Sequence, residues 1–183
     1  MKLKKSSLKN SVRLPKVVSI PNELYQSLQG RYFIGQTETL TAGQGANAWG
    51  GLINPANSGV NLFLATFTVN NLSNKTFPAK FYVNTTPPGV ASTSTLVSPA
   101  NTTRPTKPKV KLKFVRSTRG VPSGGTNIFT REVPPSPILV DEQGKIIIPP
   151  GGSFVVFLPA SSSTIKARIV LGWYEQPVNK NLN

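Results

Sequence analysis

The stretch KPKVKLKFVRSTRG (107–120) sets Lys107, Lys109, Lys111 and Lys113 on alternate residues, with Arg116 and Arg119 following. A row of cations at that spacing can hold a polyanion through its anionic groups. It is also what the wet face of a half-buried antiparallel strand looks like, because Val110, Leu112 and Phe114 fill the positions between and face a core. Lysines are a common guard against edge-to-edge pairing of strands as well. Sites for single-stranded nucleic acid interleave exposed aromatic rings for base stacking, and the one aromatic here, Phe114, falls on the apolar face. The alternation favours a solvated strand face over specific nucleic-acid recognition.

Other chemistry is scarce. The chain has no histidine and no cysteine, which removes Ser-His-Asp and Cys-His nucleophile systems, thiolate metal sites and disulfides. The carboxylates are Glu23, Glu38, Glu132, Asp141, Glu142 and Glu175. Glycosidase-type work needs two of them facing each other across a cleft. Asp141 and Glu142 are neighbours in the turn-like VDEQGK, where side chains diverge, and the rest are scattered along the chain. The Gly-rich stretches GQGANAWGG and PSGGTN lack the spacing of a phosphate-cradling loop and are read as turns. No catalytic residue, metal ligand or cofactor is expected, and the chain is read as a non-enzyme.

Charge is the strongest compositional signal: 21 Lys+Arg against 6 Asp+Glu, a net +15 over 183 residues. Such a balance attracts polyanions or complements acidic neighbours in an assembly. The leading segment MKLKKSSLKNSVRLPK holds Lys2, Lys4, Lys5, Lys9, Arg13 and Lys16 without an acid. It lacks the apolar stretch of a signal peptide, and no run is long enough for a membrane helix, so synthesis in the cytoplasm without membrane insertion is expected.

The length suits one domain with arms. Residues 1–18 read as a basic arm whose Val12, Leu14, Val18 and Ile20 share one face at period two and could dock on a neighbouring subunit as an added strand. PNELYQSLQG (21–30) is the one helix signal, with Asn22 as cap, Leu24, Tyr25 and Leu28 on one face, and Gly30 as stop. Strands follow over 31–35, 60–71, 78–84, the lysine segment, 127–132, 137–142, 145–150, 153–159 and 164–176. The stretch 41–59 reads as turns with Trp49 as a loop anchor. VNLFLATFTVNN (60–71) is apolar on both faces, as a central strand would be. TTPPGVASTSTLVSPANTTRPTKP (85–108) reads as a long exposed Ser/Thr/Pro loop, and 178–183 as a tail. About nine short strands with turns between them predict an all-β antiparallel sandwich, jelly-roll-like, over residues 19–177.

SIPNELYQSLQGRYFIGQ (19–36), NAWGGLINPANSGVNLFLATFTVNNLSN (47–74) and the closing PPGGSFVVFLP and ARIVLGWYEQ together resemble an uncharacterised family of small β-rich proteins of endospore-forming Firmicutes. The organisation is also similar to spore-appendage subunits, in which a jelly roll follows an N-terminal arm that bridges to the next subunit. The resemblance implies a structural subunit that assembles with copies of itself into a fibre, tube or layer on a spore or cell surface. In that reading Val12, Leu14, Val18 and Ile20 dock and Trp49 and Trp173 support the fold. The alternative is a virus-like capsid protein in which Lys2, Lys4, Lys5, Lys9, Arg13 and Lys16, with Lys109, Lys111 and Lys113, contact packaged nucleic acid. A third reading, a glycan- or polyanion-binding module, needs an aromatic platform, for which Tyr32, Trp49, Tyr82 and Tyr174 are too far apart in sequence to argue.

Overall fold

Period-two patterning becomes strands almost throughout. The structure, a computed structural model, describes residues 17–136 and 138–178. One helix, α1 (Asn22–Leu28), precedes β1 (Tyr32–Gln36), β2 (Leu40–Ala42), β3 (Asn47–Ile53), β4 (Val60–Asn71) and β5 (Phe77–Val83). Then come β6 (Ser92–Thr93), β7 (Val97–Pro99), β8 (Lys111–Thr118), β9 (Thr126–Val133), β10 (Ile138–Ile148), β11 (Ser153–Leu158) and β12 (Ile165–Pro177).

Two antiparallel sheets hold these strands. The first runs β10-β4-β12-β1-β7, with β2 also on β12; the second runs β6-β8-β3-β11-β5-β9. The pairs β1–β12, β3–β11, β4–β10 and β5–β9 join early strands to late ones in reverse order. Their sheets alternate along the chain, so the eight strands are one long hairpin rolled across two sheets. This is the jelly-roll winding. Residues 84–125 are inserted at the hairpin tip; they add β7 beside β1 and β8 beside β3, covering one flank of the sandwich.

The core fills as the alternation requires. Ile165, Ala167, Ile169, Leu171 and Trp173 of β12 are all buried. Opposite them, Leu112 and Phe114 of β8 and Phe154, Val156 and Leu158 of β11 complete the apolar layer. Phe67, Phe81, Phe129 and Phe154 form an aromatic knot with neighbouring centroids 4.7–6.3 Å apart. Each such side chain contributes about 1.5–3 kcal/mol by leaving water.

Several expectations are corrected. The two apolar faces of 60–71 come from a bulge. Gly172 pairs with Thr66 and Trp173 with Leu64, so Ala65 is an extra residue. It shifts the inward phase from Leu62 and Leu64 to Phe67 and Val69. Within 41–59, Asn47–Ile53 is a fully engaged central strand, and Trp49 belongs to it rather than to a loop. The two strands expected over 137–150 are one strand, β10, with an irregularity between Asp141 and Ile146. The 85–108 segment is not simply exposed. Its start crosses the outer face of the second sheet and covers a second apolar cluster of Trp49, Val115, Val155 and Phe157. There the Trp49 indole N–H donates to the Pro88 carbonyl at 2.7 Å.

The helix also differs. Pro21 takes the cap position without a side-chain bond. Leu24, Tyr25 and Leu28 are about half exposed, and Gln26 is the buried residue. The reason lies across the chain: the amide of Asn22 donates to the hydroxyl of Tyr174 at 3.0 Å, and Gln26 donates to Asn22. A phenol under the helix needs a polar partner, so the polar side of α1 turns inward and the apolar side faces out.

Candidate interaction surfaces

The lysine segment is strand only in part. Lys111 and Lys113 lie in β8, while Lys107 and Lys109 precede it. Val110, Leu112 and Phe114 are buried between them. Lys109 and Lys111 are exposed, and Lys113 is half-buried opposite Thr93 of β6. Arg116 pairs with Glu38 and sits 6.0 Å from the Phe114 ring centroid. What fixes this segment is a residue the sequence did not single out. Glu175 is buried, and its carboxylate accepts from the backbone N–H of Val110 at 2.9 Å, that of Lys109 at 3.0 Å and the Trp173 indole at 3.3 Å. That carboxylate is committed to holding the chain.

The aromatics expected to be scattered are brought together in pairs. Tyr82 meets Phe157 edge-on, 6.4 Å between centroids, beside Trp49 under the 84–91 cover. On the outer face of the first sheet, Tyr32, Tyr174 and Phe63 are register partners across β1, β12 and β4. Their rings stack, 6.4 Å from Tyr32 to Tyr174 and 4.8 Å from Tyr174 to Phe63. Cross-strand aromatic pairs of this kind stabilise a sheet by up to about 1 kcal/mol each. The irregular part of β10 folds over this ladder. Gly144 has φ +74°, and a Cβ there would stand 2.3 Å from the Tyr174 hydroxyl, so the position tolerates only glycine.

Between α1 and that fold of β10 lies a cleft of about 650 Å³. Glu23 stands on the helix wall, Asp141 and Gln143 on the β10 wall, and Tyr32 and Thr66 on the floor. Burial, then the charge of Glu23, then that of Asp141 raise the Tyr32 phenol above its ordinary 10.0. Tyr174 is raised by burial and by Glu23, against the hydrogen bond from Asn22. The unfolded chain releases these protons first on the way up. The stability they contribute is therefore present below pH 10 and is lost as pH rises through the raised values. An ultraviolet titration of Glu23→Gln should show both tyrosines ionising earlier than in the wild type, since removing an anion eases formation of a phenolate. Unchanged titration curves would contradict the placement of Glu23.

Beside the cleft, Ile34, Leu96, Val97 and Val170 line an apolar groove at the β7 edge. Ile34 and Leu96 are 45% and 47% exposed. Of the expected docking residues, Val18 and Ile20 are exposed and outside any strand. Val12 and Leu14, together with Lys2, Lys4, Lys5, Lys9, Arg13 and Lys16, lie outside the described residues. Among the described residues no helix is long and apolar enough to cross a membrane, and no group of three or more Asp and Glu is placed to hold a metal ion.

None of the curated proteins and none of the solved structures compared with the chain matches it. The comparison with protein families does find a match, to a family of unknown function, DUF6143, over residues 5–180. That span takes in most of the leading basic segment, the jelly roll and its insert, and on it the chain belongs to the DUF6143 family.

Proposed function

We propose that this protein is a structural subunit that associates with copies of itself, its leading segment docking on a neighbour. One observation carries the reading. Val17, Val18, Ile20, Leu24, Tyr25 and Leu28 are each at least 40% exposed within a single short stretch, Val17 and Val18 at 83% and 72%. Single exposed apolar residues are ordinary, but so many in one stretch support a surface that a partner covers. The rolled sandwich presents its helix and first strand on one face and the open edge of β9 on another flank. Head-to-tail contacts between unlike surfaces generate open filaments when the rotation does not close. The sequence resemblance to spore-appendage subunits makes a spore or cell surface the proposed setting.

The experiment is negative-stain microscopy and light scattering on the purified full chain and on a Leu24→Asp/Leu28→Asp variant. Both leucines are half exposed, so thermal unfolding should barely move. The expected result is filaments, tubes or layers from the wild type and monomers from the variant. A wild type that stays monomeric at every concentration overturns the reading. The capsid reading rests on the jelly-roll winding together with the basic leading segment. Closed shells with strong absorbance at about 260 nm, from the bases of nucleic acid packaged against the basic segment, would favour it instead.

A further inference from the structure

The cleft and the apolar groove lie at opposite ends of one register row on the outer face of the first sheet, and that row is the trough between them. In register, Ser98 of β7 pairs with Ile34 of β1, Ile34 with Gly172 of β12, Gly172 with Thr66 of β4, and Thr66 with Asp141 of β10. That row crosses the whole first sheet on its outer face. At its middle the neighbours close over Gly172: a Cβ there would meet Thr66 at 2.7 Å and the Tyr32 hydroxyl at 2.8 Å, so an occupant passes above those two side chains. One end is apolar, at Ile34, Leu96 and Val170; the other is acidic, at Glu23 and Asp141.

The acidic end is out of character for this chain. Of its six carboxylates, Glu23 and Asp141 line the cleft and Glu142 adjoins it, in a protein of net charge +15. Among the described residues the one ion pair is Arg116 with Glu38, so neither cleft carboxylate is engaged by a described cation. Carboxylates flanking a tyrosine ring suit a lysine or arginine side chain, through charge and through the ring face.

We propose that the trough receives residues 12–16, Val-Arg-Leu-Pro-Lys, from the leading segment of a second copy of this chain. This rests on the self-association proposed above and names its acceptor. The dimensions agree. From β10 to β1 is three strand spacings of about 4.8 Å, roughly 14 Å, and four residues of extended chain span about 13 Å. Lys16 set against Asp141 and Glu23 therefore brings Val12 over Ile34, with Leu14 between. Pro15 favours the extended backbone this requires. The donor is assigned to a neighbour by the self-association proposed above; Val17 and Val18, which follow Lys16, are 83% and 72% exposed and bury little against their own domain. A basic donor on one face and an acidic acceptor on the next make a contact that repeats head to tail.

The test uses a labelled peptide of residues 9–18 and the full-length chain carrying Arg13→Ser/Lys16→Ser, whose own donor is disabled. The peptide should bind, weaken as salt rises, and bind about fivefold or more weakly once Glu23→Gln/Asp141→Asn is added. These cleft positions are at the surface, and unchanged thermal unfolding confirms the fold. Mixing full chains with only the donor changes and full chains with only the cleft changes should give dimers, where each alone stays monomeric. Peptide binding indifferent to the cleft changes overturns the inference, even if the wild type forms filaments. Peptide binding that obeys the cleft while the wild type remains monomeric overturns self-association and, with it, the second copy as donor. A wild-type monomer that refuses the peptide, beside a donor-disabled chain that accepts it, places the chain's own segment in the trough. Displacement of the peptide by a neutral oligosaccharide at low concentration would assign the trough to a glycan instead.

Discussion

Glu175→Ala is expected to destabilise the fold by about 3–5 kcal/mol, because it leaves three donors without their acceptor. Two are backbone N–H groups at the start of the lysine segment, Lys109 and Val110, and the third is the indole of Trp173. Val110 and Trp173 are buried, so water cannot replace the lost carboxylate there; the N–H of Lys109 is more accessible and recovers part of its loss. For a chain of this size the change corresponds to a fall in melting temperature on the order of 10 °C. Glu175→Gln should be milder, since one amide oxygen still accepts while its NH₂ group meets an N–H head-on. Glu132→Ala, exposed at the outer edge strand, should shift unfolding by less than about 0.5 kcal/mol. Thermal or denaturant unfolding of the three variants decides it, and equal stability for Glu175→Ala and wild type would sink the account of this carboxylate. Function follows stability here. The segment that Glu175 pins carries Lys109 and leads into β8, which closes the flank beside β3.

What was legible in the sequence was what repeats locally. The last strand alternated from Ile165 to Trp173 and is buried on that phase; the lysine strand alternated and buries Val110, Leu112 and Phe114. Local period also suggested the jelly roll, since many short strands with intervening turns have few packed solutions. What was illegible depends on a partner far along the chain. The helix face was assigned from its own leucines, whereas the hydroxyl of Tyr174 decides which side turns inward. Tyr32, Phe63 and Tyr174 become one ladder only through strand register. Glu175 reads as an ordinary charge until Lys109 and Val110 are folded against it. A signal for it did exist: an acidic residue near the end of an otherwise apolar run, two residues after a tryptophan, is costly to bury unless bonded. For the trough, the sequence supplied both chemistries, the scarcity of acids and the basic leading segment, but not their geometry. Asp141 and Glu23 lie on different elements and meet only because β10 and α1 both close over the first sheet.

The glycine pair in NAWGG illustrates the same limit and carries the second large effect. Read locally, two glycines beside asparagines signal a turn. In the fold, Gly50 and Gly51 sit mid-strand in β3, the strand between β8 and β11 at the heart of the second sheet. Their missing side chains are what the neighbours require. A Cβ on Gly51 would fall 2.2 Å from the carbonyl oxygen of Phe154 and 2.9 Å from the Cα of Val155, both backbone atoms of the partner strand. Neither can retreat without opening the β3–β11 ladder, where Gly51 pairs with Val155 and Trp49 with Phe157. On Gly50 the obstacles are the methyl ends of Thr37 at 2.5 Å and Ile169 at 3.1 Å, which rotate or shift more easily. Gly51→Ala should therefore destabilise by at least about 3 kcal/mol, and Gly50→Ala by about 1–3 kcal/mol, as ordinary overpacking does. The distinctive outcome is the order. Loss of the Trp49 cluster should accompany Gly51→Ala and not Gly50→Ala, seen as a shift of tryptophan fluorescence toward that of an exposed indole before global unfolding. If Gly50→Ala proves the more damaging, the close approach of β3 to β11 is not what fixes these glycines, and the packing of Thr37 and β12 against β3 takes its place.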